Sequence, residues 1–130
     1  MQKIYTIHLN PIAWQRAGVN TQEEQPRFYD KQVHNKNAYA LYLQRDHGNS
    51  PLFSGPIEAE VIFYFPTPKS IKERSRFPHN KKIDLDNLLK FIFDSGNKII
   101  YTDDKLICKI TASKQYDEKP RTIMLLKDIE

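Results

Sequence analysis

IEAEVIFYF, residues 57–65, alternates between two kinds of side chain in the way that a β-strand requires. Its odd-numbered positions are all apolar, whereas its even-numbered positions include Glu58 and Glu60. Because successive side chains of a strand point to opposite faces, one face of this strand is expected to pack on a core. Pro66 and Pro68 end the strand.

Two helices are predicted, one on each side of this strand in the sequence. In the segment 85–93 the apolar residues recur at helical spacing and form one stripe, and Ser95-Gly96-Asn97 is typical of a helix end. The stripe consists of Leu85, Leu88, Leu89, Ile92 and Phe93. An earlier helix is expected over 30–45, a run without glycine or proline. Its apolar stripe is uneven and consists of Val33, Ala38, Ala40, Leu41 and Leu43.

Three further strands are predicted, over 4–9, 106–114 and 122–126, whereas the largely polar segment 12–27 is predicted to be a loop. The chain order is therefore strand, helix, strand, helix, strand, strand. This order predicts a single α+β (mixed α/β) domain over 1–130, in which two main helices pack on a mixed sheet of about four strands.

Composition excludes several classes of protein. With 130 residues and one cysteine, Cys108, the chain has neither an intramolecular disulfide nor a multi-cysteine zinc cluster. Its four histidines are scattered, and it has no glycine-rich phosphate loop and no nucleophile-elbow motif. The first residues lack the apolar core of a secretory signal, and no apolar run is long enough to span a bilayer. We expect a soluble, cytoplasmic protein without a small-molecule cofactor.

Positive charge is concentrated in one segment. The formal net charge is only +4, but residues 67–82 hold six basic side chains and a single acid, Glu73. The basic residues are Lys69, Lys72, Arg74, Arg76, Lys81 and Lys82. Such a segment favours a polyanion such as nucleic acid. The alternative is a solvated loop whose charge only maintains solubility.

An acidic pair, Asp84 and Asp86, follows this basic segment directly. Both carboxylates lie where the second helix is predicted to begin, so they could simply cap it and complement its dipole. Alternatively, they hold a cation. The motif alone does not decide between the two.

Further charged residues favour a cation. Asp86, Lys90 and Asp94 recur every four residues on one exposed stripe, and a second acidic pair, Asp103-Asp104, precedes the strand at 106. Carboxylates beside a phosphate-binding surface repel one another and the phosphate unless a divalent ion neutralises them. Mg²⁺ prefers oxygen ligands and activates water for phosphodiester hydrolysis, with Lys90 stabilising the charge that develops. The alternative for Lys90 is an ion pair with Asp86 or Asp94.

The chain resembles the RusA-type Holliday-junction resolvases, small endodeoxyribonucleases of bacteria and phages. The resemblance rests on DLDNLLK (84–90), on Asp94 and on YTDDKLI (101–107), and it extends to FYFPTPKS (63–70) and QPRFYDKQVHNKNAY (25–39). It covers most of the chain from about residue 25 to 126.

This resemblance implies that Asp84, Asp86 and Asp104 are catalytic metal ligands, with Asp103 as a helper, and that Lys90 is the essential lysine. It also implies a homodimer that depends on Mg²⁺, with Mn²⁺ as a substitute, and that makes paired symmetric nicks in a four-way DNA junction during recombination and repair. Arg27 and Lys31, together with the basic residues of 67–82, would then bind DNA phosphates without reading sequence.

Three other hypotheses stay open at this point. A related nuclease would cut flaps or other branched DNA, because nothing in the sequence encodes the angle between DNA arms. A non-catalytic nucleic-acid-binding module would use the aspartates only as caps. A Ca²⁺-stabilised interaction domain is the weakest of the three.

Overall fold

The computed structural model describes residues 1–16, 18–20, 27–69 and 83–129, with the backbone alone at 19–20 and 27–29. These residues form six strands, which are β1 (Gln2–Ile7), β2 (Gly18–Asn20), β3 (Arg27–Tyr29), β4 (Ile57–Pro66), β5 (Ile107–Asp117) and β6 (Arg121–Asp128). The helices are α1 (Val33–His47) and α2 (Leu85–Gly96), and a short 3₁₀ turn (Asp104–Leu106) precedes β5.

The main sheet has four strands in the order β1-β6-β4-β5. β6 pairs antiparallel with both β1 and β4, whereas β4 and β5 run parallel. Parallel neighbours need a crossover connection, and here that connection contains α2. The predicted α+β class, with a mixed sheet of four strands and two main helices, is confirmed.

The core lies between the helices and one face of the sheet. The odd-numbered residues of β4 are buried there, as the alternation of 57–65 predicts, together with Tyr5 and Ile7 of β1 and Met124 and Leu126 of β6. On the opposite face, no element among the described residues covers Ile62, Ile123 and Leu125. These side chains line an open groove of about 380 Å³. The sheet is therefore two-faced, with only one face packed by this chain's described elements.

Each helix contributes one aromatic side chain to a contact between them. Tyr39 of α1 and Phe91 of α2 meet edge to face, with ring centroids 4.9 Å apart. The apolar stripe predicted for α2 packs on the core, whereas the stripe predicted for α1 is wrong in part, since only Leu43 of its five residues is fully buried. Leu41 is 68% exposed and Val33 is 47% exposed, whereas the buried face of α1 consists of Tyr39, Leu43 and His47. The ring of His47 can be buried at little cost, since it bonds Tyr5 Oη at 2.7 Å and the Pro51 carbonyl at 3.0 Å.

The prediction of a loop over 12–27 is wrong in part. β2 and β3 form a small antiparallel ribbon, in which Gly18 pairs with Tyr29 and Asn20 pairs with Arg27. Strands of three residues are too short to show an alternation in the sequence.

No helix in the described ranges is long and apolar enough to cross a membrane. The cytoplasmic location expected from the sequence stays a prediction.

Candidate active site

The first turn of α2 carries the first acidic pair. Asp84 occupies the N-cap position with an extended backbone (φ −74°, ψ 136°), but its side chain makes no capping hydrogen bond. The preceding residue is fixed, because Lys114 Nζ of β5 donates to the Ile83 carbonyl at 2.9 Å. The exposed Asp84 carboxylate thus begins a helix whose N-terminus is tied to the sheet.

Asp86 lies two residues further on, in the first turn of the helix. Its Oδ1 accepts a hydrogen bond from the backbone N–H of Asn87 at 3.0 Å, and the side chain is exposed. The helix dipole stabilises a negative charge here by about 0.3–1 kcal/mol. This is the only support that the capping interpretation receives among the described contacts, since Asp84 makes no cap.

Lys90 follows one turn later and contacts an aromatic ring. Its Nζ lies 4.0 Å from the centroid of the Trp14 ring, and no ion pair within 4.0 Å joins it to Asp86, Asp94 or any other described acid. An exposed cation–π contact contributes about 0.5–1 kcal/mol, against a few tenths for an i, i+4 ion pair. The predicted alternative for Lys90, an ion pair on its own helix, is therefore not what the structure shows.

The second acidic pair lies at the other end of α2. Asp104 is within hydrogen-bonding reach of Asp94 in the last turn of the helix, and of Asp103. Its backbone N–H donates to Asn97 Oδ1 at 2.7 Å, so the residue that follows α2 fixes its position. The helix-turn return thus brings Asp104, and not Asp103, within reach of Asp94.

Burial, followed by the neighbouring carboxylates of Asp103 and Asp94, raises the pKa of Asp104. Asp103 caps the 3₁₀ turn, and the backbone N–H of Lys105, which donates to it at 2.9 Å, is the main cause that lowers the pKa of Asp103. Negative charge is accordingly less favourable on Asp104 than on Asp103.

The two acidic pairs are separated by the length of the helix. Residues 86 and 94 are about 12 Å apart along the axis at 1.5 Å per residue. In the described part of the chain, no three carboxylate, imidazole or thiolate groups converge to hold a metal ion. Asp84 and Asp86 alone offer the one or two hard oxygen donors that Mg²⁺ takes from a protein when phosphate and water complete its shell. The donor chemistry fits the ion, whereas the structure does not bring Asp104 to the first pair.

The basic segment leaves and rejoins the fold at one edge of the sheet. Just after β4 the backbone N–H of Thr67 donates to the Asp117 carbonyl at 3.1 Å, and Ile83 is held by Lys114, so both ends lie along the C-terminal half of β5. Lys31 and Lys69 are exposed. The remaining predicted DNA contacts lie outside the described side chains: Arg27, Lys72, Arg74, Arg76, Lys81 and Lys82.

Sequence reasoning missed four residues that position this site. Trp14 contacts the first half of α2, and Lys114 bonds Ile83 just before that helix. Asn97 fixes Asp104, and the buried Gln32 holds the segment that carries Trp14. Trp14, Gln32 and Lys114 act across at least 17 residues of sequence, whereas Asn97 and Asp104 are 7 residues apart. The only local signal was that Trp14 is the single tryptophan of the chain.

Comparison with known proteins gives a consistent result. The family model described as endodeoxyribonuclease RusA matches residues 8–127. The chain is 29% identical to the crossover junction endodeoxyribonuclease rusA of Lactococcus phage r1t, covering 85% of each chain. It is 26% identical to the uncharacterized protein YqaN of Bacillus subtilis (strain 168), covering 96% of this chain and 95% of that protein. The resemblance inferred from the sequence motifs is confirmed: this chain belongs to the RusA endodeoxyribonuclease family.

Proposed function

We propose that this endodeoxyribonuclease resolves four-way DNA junctions by paired symmetric nicks that depend on Mg²⁺. The observation that carries the proposal is the position of Asp84 and Asp86. Two exposed carboxylates, one of them at an N-cap without making a cap, lie at the edge of the sheet where a strongly basic segment leaves and returns. The name of the phage relative, a crossover junction endodeoxyribonuclease, supports the substrate.

Asp84 and Asp86 are the side chains that we assign to the metal ion. When bound, Mg²⁺ supplies a polarised phosphoryl oxygen, an acidified water and neutralisation of the leaving oxygen. The protein's own part is to fix the carboxylates through the helix start that Lys114 anchors. Metal binding by Asp104, with Asp103 as its helper, stays a prediction. Its support is the motif together with the crowding of carboxylates around Asp104.

Lys90 is assigned to the charge that develops on the phosphate. It lies one turn after Asp86 on the same exposed stripe, and no described carboxylate within 4.0 Å neutralises its ammonium. An unneutralised cation close to two carboxylates can stabilise a transition state more than the ground state.

DNA phosphates are assigned to Lys31, Lys69 and the basic residues of the segment between β4 and α2. Such contacts set position and carry no base information, which suits an enzyme that acts on DNA shape. Affinity is expected to fall steeply with salt concentration for the same reason.

A second copy of the chain is the partner that we assign to the open sheet face. A two-fold symmetric junction needs two equivalent incisions, which an isologous dimer delivers. The face suits this partner because its centre is apolar (Ile4, Ile62, Ile123 and Leu125), while Glu58, Glu60, Lys109, Lys127 and Arg121 give its rim both signs of charge. A flat sheet of four strands, each of about eight residues, covers about 500 Å² on each partner. Side chains that project from the sheet add to this area, which is therefore close to the lower range of stable interfaces.

Cleavage of defined substrates tests the proposal. A synthetic four-way junction, a flap and a linear duplex are incubated with the protein in Mg²⁺, in Mn²⁺ and in chelator. We expect paired nicks in the junction with either metal and none in chelator. If the protein cuts the flap and leaves the junction intact, its substrate is another branched DNA and not the four-way junction. Junction binding without any cleavage, in all conditions, would contradict the catalytic assignment.

A further inference from the structure

We propose that Trp14 is a positioning residue for Lys90: its indole face holds the ammonium and keeps it away from the carboxylates of Asp86 and Asp94. This inference rests on the catalytic role assigned to Lys90 above. The juxtaposition that carries it is the 4.0 Å separation of Lys90 Nζ from the centre of the Trp14 ring.

Three groups compete for the Lys90 ammonium: the carboxylates of Asp86 and Asp94 and the indole ring of Trp14. Asp86 precedes it by four residues and Asp94 follows it by four, so both carboxylates are within reach on one helix face. In the structure the ammonium contacts neither and lies on the indole. An ammonium on Asp86 would neutralise a metal ligand and would itself be neutralised. By holding the ammonium, the ring leaves the Lys90 charge available for the phosphate and the Asp86 carboxylate available for the metal ion.

Trp14 is itself held from both sides. The side-chain amide of Gln32 accepts from the Gln15 backbone N–H at 2.9 Å and donates from Nε2 to the Ala13 carbonyl at 2.8 Å, so it brackets Trp14. Gln32 is only 4% exposed. The Trp14 backbone N–H donates to the Asn87 carbonyl of α2 at 2.9 Å.

These bonds tie the tryptophan segment to both helices. The bracket fixes the backbone on each side of Trp14, and the partly buried ring packs against the hydrophobic core, so contacts other than Lys90 hold the indole in place. The ring is thus a fixed platform onto which the flexible lysine side chain settles, which is the arrangement that a positioning residue requires.

Kinetics of Trp14 variants test the role. In single-turnover cleavage of a four-way junction we expect Trp14→Ala to lose about 10- to 100-fold in rate, because Lys90 is misplaced. Junction affinity should stay within about twofold, since the phosphate contacts are intact. The Mg²⁺ concentration for half-maximal rate should rise, because Lys90 now competes for Asp86. Trp14→Phe should retain activity within about threefold, since a phenyl ring also binds cations.

The matched control is Tyr42→Leu, which removes another ring that contacts a cation, Arg45, at 5.1 Å on α1. It should cleave at the wild-type rate. Trp14→Ala with unchanged rate and unchanged Mg²⁺ dependence would overturn the proposal. Should Trp14→Ala fail to fold, as judged by circular dichroism, Trp14→Leu against Trp14→Phe provides the same comparison.

Fluorescence gives a readout that does not need activity. Since Trp14 is the single tryptophan, emission reports on its ring alone. Lys90→Ala should shift the emission to longer wavelength, because the ring face becomes hydrated, whereas Lys105→Ala should not. Identical spectra for wild type and Lys90→Ala would overturn the contact. Absence of cleavage by the wild type, with the emission shift present, would instead contradict the nuclease function and leave the contact standing.

Discussion

A carboxylate at a helix start stabilises the fold only if it accepts hydrogen bonds there. An N-cap aspartate ordinarily bonds an N–H of the first turn, and losing it costs about 0.5–2 kcal/mol. Asp84 occupies that position without forming the bond, and Asp86 bonds only the adjacent N–H. A contribution to folding stability is therefore a poor explanation for why aspartates occupy these two positions.

Asp84→Asn and Asp86→Asn are expected to separate function from stability. Cleavage should fall at least about 100-fold in each variant, because the donors proposed for the metal ion lose their charge. The free energy of unfolding should change by less than about 1 kcal/mol, which is the upper limit of the dipole contribution at Asp86. Junction nicking and thermal unfolding measure the two effects. The control Asp128→Asn, which removes an exposed carboxylate paired with the chain's N-terminus, should cleave normally. Lower stability with intact cleavage would support the capping interpretation.

Asp104 is expected to oppose folding at neutral pH. Because its pKa is raised above the ordinary 3.8, the folded protein keeps a proton that the unfolded chain releases. The stabilisation from this proton is complete below about pH 3.8 and is lost as pH rises through the raised pKa. Asp104→Asn should therefore raise stability at pH 7 by about 0.5 kcal/mol after solvent screening, about 2 °C in Tm.

The pH dependence provides the check on that substitution. Thermal unfolding of Asp104→Asn and wild type should differ most near neutral pH and converge at about pH 3.5, where the carboxyl is protonated in both states. If Asp104→Asn is less stable than wild type at pH 7, the Asp104 carboxylate does not oppose folding and the explanation is wrong. Lost cleavage in the same variant would support its predicted role as a metal ligand.

At the scale of elements, the end of α2 depends on a close contact between a glycine and a tyrosine. A Cβ on Gly96 would lie 2.7 Å from Tyr101 Oη, and Tyr101 is fixed because it is fully buried and donates to the Phe93 carbonyl at 2.5 Å. The turn that carries Asp103 and Asp104 follows directly. The contact therefore sets where the second acidic pair begins.

Gly96→Ala is expected to destabilise the protein by about 1–3 kcal/mol, because a side chain is inserted into a packed site. Gly55→Ala is the matched control, since nothing lies within 4 Å of the added Cβ. Urea unfolding of both variants measures the difference. Equal stability of Gly96→Ala and wild type would show that Tyr101 moves aside.

Elements with a long periodic pattern could be predicted from the sequence, and contacts between elements could not. The alternation of 57–65 and the stripe of 85–93 correctly predict β4 and α2, because each has one buried face. On α1 the buried face is centred on Tyr39, whose partner Phe91 is far away in the chain. The pairing of Asp104 with Asp94, and the Trp14 ring under Lys90, depend on tertiary packing in the same way.

The whole molecule has one sheet face packed by helices and one that its described elements leave open. Ile4 is 59% exposed on the open face, beside the groove that Ile62, Ile123 and Leu125 line. An exposed apolar patch of this kind marks an interaction site. The position of the patch, on the side of the sheet away from α2, would leave two active sites facing outward in a dimer.

Ile123→Lys is expected to convert a dimer into a monomer, because it places a charge at the centre of the proposed interface. Analytical ultracentrifugation over a range of protein concentrations measures the change. Ile110→Lys is the control, since Ile110 is 45% exposed but points to the opposite side of β5. The monomer should make single nicks in place of paired ones. A wild-type protein that is monomeric at all concentrations would contradict the assignment of this face.

The place of β6 in the sheet bears on how the protein is made. Among the strands that the structure describes this one comes last in chain order, yet it lies between β1 and β4 and pairs with both. While the ribosome is still synthesising the earlier segments, β1 has no partner in the sheet and the apolar face of β4 is only partly enclosed. The nascent chain therefore carries all the acidic and basic residues proposed for the site before their framework can close, and we expect nuclease activity only after β6 has emerged.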